Sequence, residues 1–176
     1  MKRKQIVDFI IAVALIIVGS LVLTFPLLKI VNVKYIFIGV LAFYGIMNLI
    51  QFILTSKEKD YEGLLTMIAS IITLLLLGFL EVDNSPLNLA LTLFVWIVLM
   101  SMIKLKKCDY YHDRNRSIWI FRIITLILFI LIGLLSVINL YYEAEVQILV
   151  LGFFYFVHGV LELIDPVTNY LLDKKK

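Results

Sequence analysis

The chain has little of what a secreted or catalytic domain carries. Its 176 residues include one cysteine, Cys108, so neither a disulfide nor a cysteine-cluster metal site forms within one chain. The single thiol reads as incidental. Prolines number three and glycines eight, too few to interrupt long helices often. Charged residues are 16% of the chain against 62% hydrophobic, and the mean hydropathy is +1.04. A soluble domain of this length needs more polar surface than that, so the composition is that of an integral membrane protein. HExxH, GxSxG, the P-loop and the glycine-rich dinucleotide fingerprint are all missing. The chain therefore reads as not an enzyme, with no catalytic, cofactor-binding or metal residues. The nearest approach to a ligand set is Asp109, His112 and Asp113 in CDYYHDRNR, and with basic residues around them they read as a solvated interfacial loop.

What the chain does have is apolar runs of the length that crosses about 30 Å of hydrocarbon as a helix. They fall at about Ile6 to Pro26, Val33 to Leu54, Gly63 to Leu80, Leu87 to Ile103, Ile118 to Leu140 and Val146 to Ile164. Their continuous apolar character, without period-2 alternation, selects helices over barrel strands. The separators FPLLKIVNVK, TSKEKDYE, EVDNSP, KLKKCDYYHDRNRS and YYEAE are short and rich in charge or turn residues. Short connections predict three antiparallel hairpins, at about residues 6–54, 63–104 and 118–164, in a single transmembrane domain with a tail over 165–176.

Lysine and arginine are distributed unevenly. Thirteen fall on the N-terminus, the second and fourth connections and the tail, against two, Lys29 and Lys34, on the opposite side. That bias predicts both termini in the cytoplasm, and it accounts for the net charge of +3 without a nucleic-acid partner. Lys2, Arg3 and Lys4 precede the first apolar run without a cleavage site following it, as in a retained signal anchor. Trp119, Tyr61 and Tyr170 sit at inner span edges and Tyr35, Tyr141 and Tyr142 at outer ones, whereas Trp96 falls mid-span as a packing residue. Beyond Pro166, the spacing of Val167, Tyr170 and Leu171 predicts a helical tail along the inner surface.

Three hairpins of similar length invite a search for an internal repeat. A shift of 114 residues superposes Gly19 on Gly133, Leu21 on Leu135, Gly45 on Gly159, Leu49 on Leu163 and Ile50 on Ile164 without a gap. GIMNLI and GVLELI then read as copies, with SMIKLK in the same slot of the middle hairpin. Gly19, Gly45, Gly133 and Gly159 are accordingly expected to pack helix against helix, and Gly39, Ala42 and Gly45 to share a face.

The segments IVGSLVLTFP, NSPLNLALTLFVWIVLMSMIKL and VLGFFYFVHGVLELI resemble the HdeD-type bacterial membrane proteins, a short-repeat family associated with acid resistance. Pro26 and Pro86 match that family's turn prolines and Gly45 and Gly159 its motif glycine, while the third hairpin lacks the proline and Ser101 replaces the glycine in the second. The resemblance implies three helical hairpins in a bacterial inner membrane and a role in stress or acid tolerance, with no catalytic residues to carry over.

Ionisable groups inside apolar runs are the candidate functional residues. Under the repeat, Asn48, Lys104 and Glu162 are equivalent, as are Asp8 and Arg122, so these residues share a depth in the inner half of the membrane. Lys104 with Glu162 and Asp8 with Arg122 are the expected pairs, and snorkelling of each charge to water is the competing expectation. His158 lies deeper, four residues before Glu162 on one helical face, where a carboxylate can hold an imidazole proton. It serves either as a proton relay or sensor or as a packing residue. The expected function is a noncatalytic multi-pass inner-membrane protein supporting acid or envelope stress tolerance. The alternative is a small transporter or channel using the inner-leaflet polar cluster Asp8, Asn48, Lys104, Arg122, His158 and Glu162. Expected partners are the lipid bilayer and either a second copy of the chain or another membrane protein.

Overall fold

The computed structural model describes residues 3–24, 33–55, 61–80, 85–112, 116–142 and 146–173, some of them near helix ends by backbone alone. Pro26, Lys29, Lys57, Glu58, Lys59, Asp60, Glu81, Asp83, Asp113, Arg114, Glu143, Glu145 and the terminal lysines lie outside the described residues. The chain forms six helices, α1 (Arg3–Thr24), α2 (Val33–Thr55), α3 (Glu62–Phe79), α4 (Pro86–His112), α5 (Arg116–Tyr142) and α6 (Gln147–Asp173). Each is long and apolar enough to cross a membrane. In hydrocarbon a helix satisfies its own backbone, which is why uninterrupted apolar runs take this form.

Two helices run further than the apolar pattern implies. The sequence ends the fourth span at Ile103 and assigns the lysines after it to a connection, yet α4 continues to His112. Lysine is a good helix former, so the end of an apolar run marks a change of surroundings and not of backbone. Cys108, expected in a connection, is therefore a buried residue of α4. Likewise α6 passes through Pro166 to Asp173, so the tail beyond the span is helical. Proline lacks an N–H, so Glu162 loses the intrahelical donor its carbonyl would otherwise receive.

The helices close into a ring. α1 packs on α2, α2 on α3, α3 on α4, α4 on α5, α5 on α6 and α6 on α1, the most extensive interfaces being α1 with α6, α4 with α5 and α2 with α3. Missing side chains explain the closeness of these three. A Cβ on Gly19 would stand 2.4 Å from the backbone nitrogen of Phe156, and one on Gly159 would stand 2.7 Å from that of Ile16, so α1 and α6 meet backbone to backbone. Gly63 similarly lies 2.5 Å, measured from its would-be Cβ, from the Asn48 carbonyl oxygen of α2. Gly133 receives Ile97 of α4, and Gly45 faces Ser70 of α3 at 3.2 Å. Gly39 meets nothing within 4 Å. Its expected alliance with Gly45 fails because two steps of three residues rotate a helix position by about 120°.

The core is apolar and aromatic through most of its length. Phe37, Tyr44, Trp96, Phe129, Phe154 and Tyr155 are buried together with Leu15, Leu41, Leu77, Leu89, Leu93, Leu140 and Leu151. Trp96 packs edge-on against Tyr44 at 5.3 Å, as a mid-span packing residue. Hydroxyls buried here bond to their own helices: Thr73 to the Ala69 carbonyl at 2.8 Å, Thr92 to that of Asn88 at 2.7 Å and Ser136 to that of Ile132 at 2.9 Å. Such back-bonding satisfies the hydroxyl without a polar partner on another helix.

Candidate functional site

Residues near the starts of α1, α3 and α5 and near the ends of α2, α4 and α6 meet at one end of the ring. There the apolar core gives way to charge. Glu62, the first residue of α3, accepts from Lys4 of α1 at 2.8 Å and from Lys107 of α4 at 2.5 Å. Lys107 also reaches Asp165 of α6 at 3.0 Å, and Asp165 pairs with Arg122 of α5 at 3.3 Å. On α1, Asp8 accepts a hydrogen bond from the Gln51 amide of α2 at 2.7 Å. All six helices thus contribute to one polar layer.

Glu162 is the hub on the inner side of this layer. Its Oε1 accepts from Lys104 Nζ at 2.5 Å and from the Tyr44 hydroxyl at 3.2 Å, and lies 3.1 Å from His158 Nε2. An ionised carboxylate only accepts, so contact with it calls for the proton of His158 on Nε2. The imidazole is buried among the rings of Phe129, Phe154 and Tyr44, with centroids 4.9, 5.6 and 5.9 Å away. Lys104 stands 5.2 Å from the centroid of Phe129, a further contact that holds its ammonium inside the ring. His158 and Glu162 are therefore one turn apart on α6 and in contact, with aromatic surroundings excluding water from the histidine.

Four carboxylates, Asp8, Glu62, Glu162 and Asp165, face four cations, Lys4, Lys104, Lys107 and Arg122, so the layer balances in charge. Of the two expected pairs, Lys104 with Glu162 is present. Asp8 and Arg122 take other partners, Gln51 and Asp165, because α1 and α5 are each separated from the other by α6 in the ring. Snorkelling does not describe these groups. The Arg122 side chain is only 5% exposed and that of Glu162 only 16%, so they turn inward to partners. Asn48 is buried in the same layer, and its amide donates to the Tyr44 carbonyl at 2.8 Å.

Sequence reasoning misses Tyr44, Gln51, Glu62 and Asp165, and counts Lys4 and Lys107 only as topology charges. A signal exists for some of them. The 114-residue shift that superposes Asn48 on Glu162 also superposes Gln51 on Asp165, and Lys107 follows Lys104 by the same three residues. Glu62 falls in the connection before α3 on the apolar pattern, which gives no means of finding a helix that starts on a charge.

Asp8, Tyr44, Asn48, Gln51, Lys104 and Glu162 are among the residues bordering a small, partly open cavity of about 20 Å³ at this end of the bundle. Among the described residues no group of three or more His, Cys, Asp or Glu is placed to hold a metal ion.

Comparison of the chain with protein families, curated proteins and solved structures finds no match. The likeness to the HdeD-type family thus rests on the segments quoted above, and the site has to be interpreted from its own chemistry.

Proposed function

We propose that this chain is a noncatalytic, multi-pass protein of a bacterial inner membrane that supports tolerance of acid or envelope stress. The observation that carries the reading is the charge-balanced layer to which all six helices contribute, with His158 and Glu162 in contact at its inner side. Protonating a carboxylate of such a layer removes one partner from a buried pair and leaves a cation uncompensated, so acid acts directly on what holds the helix ends together. Both termini belong in the cytoplasm on the distribution of lysine and arginine, and the 114-residue shift reads the first and third hairpins as repeats, with SMIKLK in the same slot of the middle one. The resemblance to the HdeD-type family supports the same role.

The test is survival of the native host after an acid challenge, comparing a deletion strain with strains restored by wild type or by a His158→Gln, Glu162→Gln double variant at matched membrane abundance. Sensitisation by deletion, rescued by wild type and not by the variant, is the expected result. Survival of the deletion strain at wild-type levels refutes the role, and full rescue by the variant removes this pair from it.

The cavity beside the layer favours a second reading, a small transporter or channel. Against it stands the remaining core, where buried aromatic and leucine side chains fill the ring and buried hydroxyls bond to their own helices. Proton or cation flux into proteoliposomes, lost in Glu162→Gln, would favour transport over the first reading.

A further inference from the structure

Three bridges of the polar layer sit at matching places in the chain. Gln51, Lys107 and Asp165 each lie three residues after the matched positions Asn48, Lys104 and Glu162, and each joins the second helix of its hairpin to the first. Lys107 reaches Glu62 of α3 at 2.5 Å, and Asp165 pairs with Arg122 of α5 at 3.3 Å, so two of the bridges are ion pairs. The third is not. Gln51 is neutral, and its amide donates to Asp8 Oδ1 of α1 at 2.7 Å. Among the described residues, Asp8 is the one carboxylate of the layer with no cation within 4.0 Å.

The groups around Asp8 do not make up for this. Lys4, one turn earlier on α1, is held by Glu62 at 2.8 Å. From α4, Lys104 and Lys107 line the same cavity, but Lys104 is in contact with Glu162, and Lys107 with Glu62 and Asp165. On the two helices packed against α1, α2 presents Tyr44, whose hydroxyl donates to Glu162, and α6 presents Glu162 and Asp165. His158 of α6 is in contact with Glu162 and lies outside this lining. An ionised Asp8 therefore has a neutral amide for a partner and further carboxylates for neighbours, whereas Glu62, Glu162 and Asp165 each touch a cation.

Glutamine suits both states of such a carboxyl. The Gln51 residue is 2% exposed, its Nε2 donates to Asp8, and its Oε1 accepts from no described residue. Gly63 of α3 leaves room beside that oxygen, since a Cβ there would stand 3.2 Å from it. A protonated carboxyl becomes a donor, and the same amide can then accept from it. Lysine in this place, as at Lys107, only donates and holds its partner ionised. The cavity of about 20 Å³ that Asp8 and Gln51 border has room for about one water, enough to deliver a proton and too little for a larger ligand.

We infer that Asp8 is the proton-binding site of the layer, with Gln51 as the partner that accommodates its charged and its neutral form. On acidification a hydronium gives its proton to the second carboxylate oxygen of Asp8 and leaves as water. The acid then donates to Gln51 Oε1 while Gln51 Nε2 still donates to Oδ1, and Glu62, Glu162 and Asp165 stay ionised on their cations. The bridge between α1 and α2, the least extensive interface of the ring, passes from one hydrogen bond to two, and the layer gains one positive charge. Proton uptake here rests on the reading of the layer as the part of the chain on which acid acts, and it names the group that responds.

The experiment is infrared difference spectroscopy of the purified full chain in micelles, titrated downward from neutral pH, with and without isotopic label in the aspartate carboxyls. A protonated carboxyl has a carbonyl stretch that a carboxylate lacks. The first such band to grow is expected to move with the aspartate label and to be lost in Asp8→Asn. Gln51→Lys, which places a cation where the middle hairpin has one, should shift its appearance to a pH about 1 to 3 lower. Circular dichroism checks that each variant folds, either folded variant suffices, and the label reads wild type by itself. A first band that does not move with the label belongs to a glutamate and overturns the assignment, as does a band unchanged in either folded variant. Host survival is scored separately. Loss of survival on deletion without an Asp8 band sinks the proton site alone, and an Asp8 band in a protein whose deletion leaves survival unchanged sinks the stress-tolerance role alone.

Discussion

Lys104 and Glu162 form the pair on which the inner part of the polar layer depends, and a double-mutant cycle measures how far. The pair is 2.5 Å long, its side chains are 21% and 16% exposed, and the same carboxylate oxygen is shared with Tyr44 and His158. Glu162→Gln keeps the shape but leaves the Lys104 ammonium without its countercharge among apolar helices, which costs about 3 to 5 kcal/mol. Lys104→Met keeps the length of the stem and leaves a carboxylate still held by Tyr44 and His158, so its cost falls near the lower end, about 3 kcal/mol. With both changes no charge remains to be compensated and the introduced side-chain amide still offers an acceptor, so the double variant should lose only about 1 to 2 kcal/mol. The coupling is then about 4 kcal/mol or more, within the range for close charge pairs and well above the roughly 0.6 kcal/mol average for hydrogen bonds between membrane helices. Reversible unfolding in mixed micelles, followed by circular dichroism, gives the four stabilities. Additive single effects, within about 0.5 kcal/mol, would refute the argument by showing that each ion reaches water independently of the other.

Two further outcomes follow from packing alone. Gly19→Ala and Gly159→Ala put a methyl group within 2.4 and 2.7 Å of the facing backbone, and each should destabilise the bundle by about 2 kcal/mol or more. Gly39→Ala, with nothing within 4 Å, should stay within about 0.5 kcal/mol of wild type, so thermal unfolding of the three in one detergent checks the α1 and α6 contact directly. The Tyr155 hydroxyl is buried with no hydrogen-bond partner among the described residues. Tyr155→Phe removes it and should raise stability by about 1 to 3 kcal/mol, and a loss instead would mean that the hydroxyl is satisfied.

Much of the membrane architecture is legible without the structure, because hydrocarbon constrains sequence more severely than water does. Six runs of apolar residues each long enough to span call for spanning helices, and the helices fall where the runs do. Their ends are less legible. Lys104 to His112 continue α4 and Val167 to Asp173 continue α6, because leaving the apolar region changes the solvent around a helix without breaking its hydrogen bonds. The His158 and Glu162 contact can be read from four-residue spacing, since one turn of helix brings such residues together whatever surrounds them.

Partners on different helices obey no such local rule. Lys104 and Glu162 are anticipated through the repeat, but the same reasoning assigns Asp8 to Arg122, and the ring of helices gives Asp8 to Gln51 and Arg122 to Asp165. The sequence by itself determined that the chain is a bundle of membrane helices with ionisable residues near one end, because span length, hydropathy and helical periodicity are properties of single segments. Only the tertiary structure decided which helices lie side by side, and that Glu62, Lys107 and Asp165 belong to the polar layer. Those outcomes depend on how closely glycine lets particular backbones approach and on how each helix is rotated about its axis, and both are settled only when all six helices pack at once.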